Sequence, residues 1–269
     1  MIFGKKRGVE APAEAQASPA REEKPAQGRV LSAEETAEFD EFLRNKKAAQ
    51  IRRLIGTIDH TLLKQTATRA DIRNLCAEAA EYGFHSVCVQ PVYVSLCADC
   101  LKNAPQVKIA CVVGFPMGEN TTDVKVREAK RAVADGADEI DMVLCISAVK
   151  NRDYAYVRRE IRRVVKGAKV PVKVILETSL LTQDEMVRAA VCARDAGAAF
   201  VKTSTGYFGE GARTEDVKLL KQTVGGICEV KASGGIRTAE KLREMVDAGA
   251  DRIGTSAGVS IAEEIGKQK

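Results

Sequence analysis

The chain has 269 residues, 45% of them hydrophobic, and a formal net charge of +5. That is enough apolar material for one large core, whereas mixed charges, no long basic block and 4% aromatic residues argue against nucleic-acid binding. No run approaches the ~18 apolar residues of a membrane span, and the opening MIFGKKRGVEAP turns charged at once, so a cytoplasmic protein without a membrane partner is expected.

Residues 1–30 are rich in Ala, Pro, Glu, Lys and Gly without periodicity and predict a disordered tail. Residues 31–56 read as a helical extension. Ser32-Ala33-Glu34-Glu35 has the form of a capping box, with a helix to about Lys47 and a further turn or two near Ile51–Ile55. From residue 57 to 269 the pattern changes to a repeated beat. Short apolar runs recur at Ile58, 86–90, 109–114, 139–144, 172–177, 199–204, 227–233 and 252–257. Helix-like segments separate them; TRADIRNLCAEAAEYG and TAEKLREMVDAGA have apolar residues three and four apart. Apolar strands alternating with helices imply parallel βαβ units. Eight such units predict an α/β fold, a (β/α)8 TIM barrel. A doubly wound sheet is the runner-up, but its Gly-rich first turn is missing from DHTLLK.

The eight cysteines read as reduced thiols, with Cys88, Cys111 and Cys145 inside apolar runs. Cys97 and Cys100 form one C-x-x-C, but His60 and His85 are not spaced to complete a zinc site; helix-surface or core cysteines are favoured over a redox or metal role, and no cofactor is expected.

Barrel chemistry sits where strands end. Two predicted strand ends match, VKTSTG at 201–206 and VKASGG at 230–235, which places Lys202 and Lys231 on neighbouring strands. A strand-end lysine alone is more often a phosphate or carboxylate partner than a nucleophile. Two ammonium groups in one low-dielectric cavity favour a neutral amine, which adds to a carbonyl and forms an imine. Asp141 lies on the fourth predicted strand and can meet Lys202 across the lumen, as a proton carrier or as a structural ion-pair partner. The loops SGGIRT and IGTSAG follow strands seven and eight, where small residues expose backbone N–H groups to an anion. Gly206, Gly234, Gly235, Gly254 and Ser256 are the phosphate-site candidates.

Taken together, IDHTLLK 58–64, SVCVQP 86–91, GFP 114–116, EIDMV 139–143, VKTSTG, VKASGG and RIGTSA 252–257 resemble the 2-deoxyribose-5-phosphate aldolase family over nearly all of residues 57–258. The resemblance implies a metal-free class I aldolase on a TIM barrel, acting on small phosphosugar and aldehyde partners, with a homodimer as the assembly considered. It implies Lys202 as the imine-forming nucleophile, Lys231 as the neighbour favouring its neutral form, and Asp141 in the proton relay. Cys88 is placed near the aldehyde pocket, or in the core by residue type, and Thr61 at substrate or as a strand-end cap. Cys145 and Ser147 stand where the family more often has asparagine and glycine, and the C-terminal tyrosine of some members is missing from EEIGKQK. The rivals are another phosphosugar isomerase or synthase barrel, and a non-catalytic phosphometabolite-binding regulator.

Overall fold

The computed structural model describes residues 33–267. The predicted tail and the capping residue Ser32 lie outside the described residues. In chain order the elements are α1 (Ala33–Ile55), β1 (Ile58–Leu62), α2 (Arg69–Tyr82), β2 (Ser86–Val89), α3 (Val94–Cys100), β3 (Lys108–Val113), α4 (Thr122–Ala134) and β4 (Glu139–Val143). They continue as α5 (Ile146–Lys150), α6 (Tyr154–Ala168), β5 (Val172–Ile175), α7 (Gln183–Asp195), β6 (Phe200–Lys202), α8 (Thr214–Val224), β7 (Glu229–Ser233), α9 (Ala239–Asp247), β8 (Arg252–Thr255) and α10 (Gly258–Lys267).

The eight strands form one closed parallel barrel in sequential order, with β1 pairing to β8. The helices alternate with the strands along the chain. The main apolar core draws on both strands and helices: Ile140, Met142 and Val174 join Ile72, Ile161 and Leu242. Strand residues one step out of phase, such as Asp59, Asp141 and Lys173, are equally buried but polar. Period-two alternation sends these to the lumen.

Local chemistry sets the helix ends. Thr68 caps α2 and Thr182 caps α7, each with a reciprocal acidic side chain three residues on, Asp71 and Glu185. Gly83 closes α2 in the left-handed region. The extension differs from its reading in two pieces, because α1 is one continuous helix from Ala33 to Ile55. The chain divides into two compact units between Arg44 and Asn45, inside α1. Within the second unit, Ile51, Leu54 and Ile55 pack on the core. No helix among the described residues is long and apolar enough to cross a membrane.

Candidate active site

The register of β6 and β7 pairs Lys202 directly with Lys231. Both side chains are buried, and both Nζ groups donate to the same oxygen of Asp141, Oδ2, each at 2.8 Å. A carboxylate thus sits between the two lysines, in the ion-pair arrangement that the sequence offered for Asp141. Asp141 Oδ1 accepts from Lys173 of β5 at 2.9 Å. Lys231 also donates to Asp59 Oδ2 on β1 at 2.5 Å. Arg252 of β8 spans Asp59 Oδ1 (3.0 Å) and Glu139 Oε2 (3.2 Å), and Lys173 donates to Glu139 as well. Below this layer the Phe200 ring lies 5.6 Å from Lys173 Nζ and 5.1 Å from the Arg252 guanidinium, a cation–π floor.

Four cations and three carboxylates thus share the lumen, with one positive charge in formal excess. Burial alone would raise the Asp141 carboxyl, but Lys173, Lys202 and Lys231 hold it well below the usual carboxylate range. Asp59 is likewise held down, against its burial, by Lys231, Lys173 and Arg252. Glu139 falls to about 2, its burial outweighed by His85, whose Nε2 lies 3.4 Å from Oε1, and by the charges of Lys173 and Arg252. Burial works against the charge of Lys231, yet Asp141 and Asp59 push its value up, and Lys173 is raised for the same kind of reason.

The signs define a pH window. The depressed carboxylates contribute stability above their ordinary values of 3.8 and 4.5, and lose it as pH falls through their folded values. The raised lysines contribute in full below their ordinary 10.5 and lose it as pH climbs past that. The network's share of stability is therefore expected to be level from about pH 5 to about pH 10 and to fall at either side. Urea midpoints measured across this range check it; a midpoint falling steadily between pH 5 and 7 contradicts it.

Above the charged layer a cavity of about 270 Å³ opens at the carboxyl ends of the strands. Lys202, Thr61, Gly206, Gly234, Gly235, Gly254 and Ser256 line it, so seven of the ten residues selected from sequence meet in one pocket. Asp141 and Lys231 lie beneath it in the ion-pair layer. Cys88 is fully buried, its Sγ 4.0 Å from Asp141 Oδ2, in a small apolar cluster with Leu63, Ala110 and Val112. Burial and the nearby Asp141 charge push its thiol up, so it is a neutral group. The Thr61 hydroxyl donates to Asp59 O at 2.8 Å, the strand-end capping bond.

Glycine is required where chains cross. Lys231 reaches Asp59 by passing over β8 at Gly254, whose register partner on β1 is Asp59. A Cβ on Gly254 would sit 3.0 Å from Lys231 Cε and 2.9 Å from Ser233 Cβ. Gly254→Ala is therefore expected to displace Lys231 from Asp59 and lower kcat/KM by about tenfold or more. Steady-state kinetics checks this; unchanged kinetics contradicts the crossing argument.

Several site residues went unselected in the sequence. Asp59, Glu139, Lys173 and Arg252 complete the ion-pair layer, and Lys64 and Arg237 add exposed cations to the pocket lining. An available signal was a charged residue inside a short apolar strand, as in IDHTL and VKVI. Arg237 follows directly on SGGI. At the rim, the residues that depart from the resemblance are occupied locally: Ser147 donates through N and Oγ to Glu119 at 3.1 and 2.6 Å, and Cys145 precedes α5 as its N-cap residue. Cys97 is buried and Cys100 partly exposed on α3. No metal-binding group of three or more His, Cys, Asp or Glu occurs among the described residues.

Comparison with known proteins agrees with this geometry. The family model described as DeoC/LacD family aldolase matches residues 53–265. The deoxyribose-phosphate aldolase of a Thermoanaerobacter species is 55% identical over 216 residues, covering 79% of this chain and 96% of the relative. That of Thermococcus kodakarensis is 55% identical over 219 residues, with the same coverage. The solved deoxyribose phosphate aldolase of Aeropyrum pernix, described as a tetramer, superposes with a TM-score of 0.77 at 36% identity, covering 83% of this chain and 95% of that one. A match over four fifths of the chain, at 55% identity to a curated relative, places the protein in the DeoC/LacD aldolase family.

Proposed function

We propose that this chain is a class I deoxyribose-phosphate aldolase, cleaving 2-deoxyribose 5-phosphate reversibly to acetaldehyde and glyceraldehyde 3-phosphate. The observation that carries the reading is Lys202. It is the one lumen cation that both lines the pocket and has a single carboxylate partner, whereas Lys231, Lys173 and Arg252 each have two. With Lys202 neutral, three cations face three carboxylates. The layer is then balanced, and a free amine points at the substrate.

The amine adds to C1 of the open-chain sugar, and loss of water gives the protonated imine. The C3 hydroxyl gives up its proton, the C2–C3 bond breaks, and its electron pair moves into the imine to form the enamine. Glyceraldehyde 3-phosphate leaves; protonation at C2 and addition of water release acetaldehyde and restore the amine. Asp141 bridges both lysines through one oxygen, which suits it to passing protons through a water to Lys202. Gly206, Gly234, Gly235, Gly254 and Ser256 supply the small, N–H-rich wall that a phosphate requires, with Arg237 and Lys64 adding charge. Anchoring that end fixes C1 near the amine. Cys88 and its apolar neighbours suit the two-carbon end.

The reading extends to a cytoplasmic enzyme of deoxyribonucleoside catabolism that assembles with its own copies. Light scattering separates the homodimer expected here from a tetramer like that described for the Aeropyrum pernix protein. The activity is tested by incubating the wild-type chain with 2-deoxyribose 5-phosphate and measuring both aldehydes. Equal yields are expected; no carbon–carbon cleavage overturns the reading.

A further inference from the structure

Glu177 follows β5 and is one of three non-glycine residues with positive φ among those described, at 55°. The residue is 1% exposed, and among the described residues its carboxylate is bonded by Thr205 and by no lysine or arginine. A buried, unpaired carboxylate on a left-handed backbone is costly on both counts. Burial raises its carboxyl above the ordinary carboxylate value, and hydrogen bonds from Thr205 together with the charge of Lys202 offset this only in part. Such a combination persists where its surroundings use it.

The neighbouring bonds show the use. Past the last paired residues of β5 and β6, Leu176 N donates to Lys202 O and Thr178 N to Thr203 O, both at 2.9 Å. The left-handed turn at Glu177 separates these two contacts and aims the side chain along the same edge. Thr205 N then donates to Glu177 Oε2 at 3.2 Å, and Thr205 Oγ1 donates to the same oxygen. The carboxylate stands in for the main-chain acceptor that the ended strand no longer provides. Thr205 Oγ1 in turn accepts from Tyr207 N at 3.1 Å, and Tyr207 OH donates to Leu63 O at 2.8 Å on the opposite wall. Thr205, Gly206, Tyr207 and Leu63 all line the pocket.

We infer that Glu177 is a positioning residue, a side-chain substitute for a ladder carbonyl that holds the Thr205–Tyr207 wall in place for the sugar phosphate. This rests on the aldolase reading of the same pocket. Oε2 receives the Thr205 Oγ1 bond and the shorter of the two Thr205 N contacts (3.2 Å, against 3.4 Å to Oε1), so one well-placed acceptor oxygen meets most of the role and a negative charge is not what it needs. Glutamine presenting its carbonyl oxygen there meets the requirement; alanine does not.

The test compares Glu177→Ala with Glu177→Gln by two readouts, KM and kcat for 2-deoxyribose 5-phosphate and borohydride trapping of acetaldehyde on Lys202. Acetaldehyde has no phosphate end to be seated by that wall. The alanine chain is expected to raise KM about tenfold or more with trapping unchanged, and the glutamine chain to stay within about threefold of wild type. Glu177→Asp, which withdraws the carboxylate by one methylene, is expected to raise KM as well and serves if the alanine chain does not fold. An unchanged KM in both shortened variants overturns the proposal. So does a glutamine chain as impaired as the alanine chain, or trapping that falls in step with KM. Wild-type protein that traps no acetaldehyde overturns the aldolase reading, and this proposal with it.

Discussion

Lys202→Ala is expected to lower kcat for sugar-phosphate cleavage by at least ~10⁴-fold and to leave the fold intact. The alanine removes the only atom that forms the covalent bond, and neighbouring amines do not replace it. Lys231 is bound by Asp59 and Asp141, and Lys173 by Glu139 and Asp141. Both are buried beneath the pocket rather than lining it. The layer tolerates the loss of this one charge, because three cations then face three carboxylates. Thermal unfolding is accordingly expected to change little, separating loss of chemistry from loss of structure. Residual turnover within a factor of ten of wild type contradicts the assignment of Lys202.

Asp141→Asn is expected to damage both stability and activity. Asp141 is fully buried and bonded to three lysines through its two oxygens. A neutral amide leaves those ammonium groups with two carboxylates for four cations in the layer, and its NH₂ group faces donors. Breaking a buried pair from one side costs about 3–5 kcal/mol, so the urea midpoint at pH 7 is expected to drop markedly. Loss of the proton carrier adds ~10²–10⁴-fold in kcat. Equilibrium unfolding and single-turnover kinetics check the two effects separately. A variant with wild-type stability contradicts the view that Asp141 balances the layer.

The sequence made the barrel legible because each βα unit repeats the same two periods, and because helix-to-strand passages such as DGADEI, DAGAAF and DAGADRI share their chemistry. Lys202 and Lys231 were legible as a matched pair, and Asp141 as a charge out of place in an apolar strand. Their partners were harder to find. Lys173 meets Asp141 through the pairing of β4 with β5, and Asp59 joins through Lys231 only once β1 closes on β8; a lone charge in a four- or five-residue strand does not declare its face. The run 199–204 also overstates β6, which ends at Lys202. Thr203, Ser204 and Thr205 continue the β-rich pattern, but their polar groups turn to Ser233, to its hydroxyl and to Glu177. The left-handed backbone of Glu177 carries no signature in its residue type, because glycine or asparagine is the ordinary occupant of that region.

The central claim is that one particular lysine, among three in a shared lumen, carries the covalent chemistry. Incubating the chain with acetaldehyde and borohydride, then mapping the modified peptide by mass spectrometry, tests it most directly. The account predicts one N-ethyl group per chain, on Lys202. An adduct on Lys173 or Lys231, or no adduct on a chain that still cleaves the sugar phosphate, contradicts it.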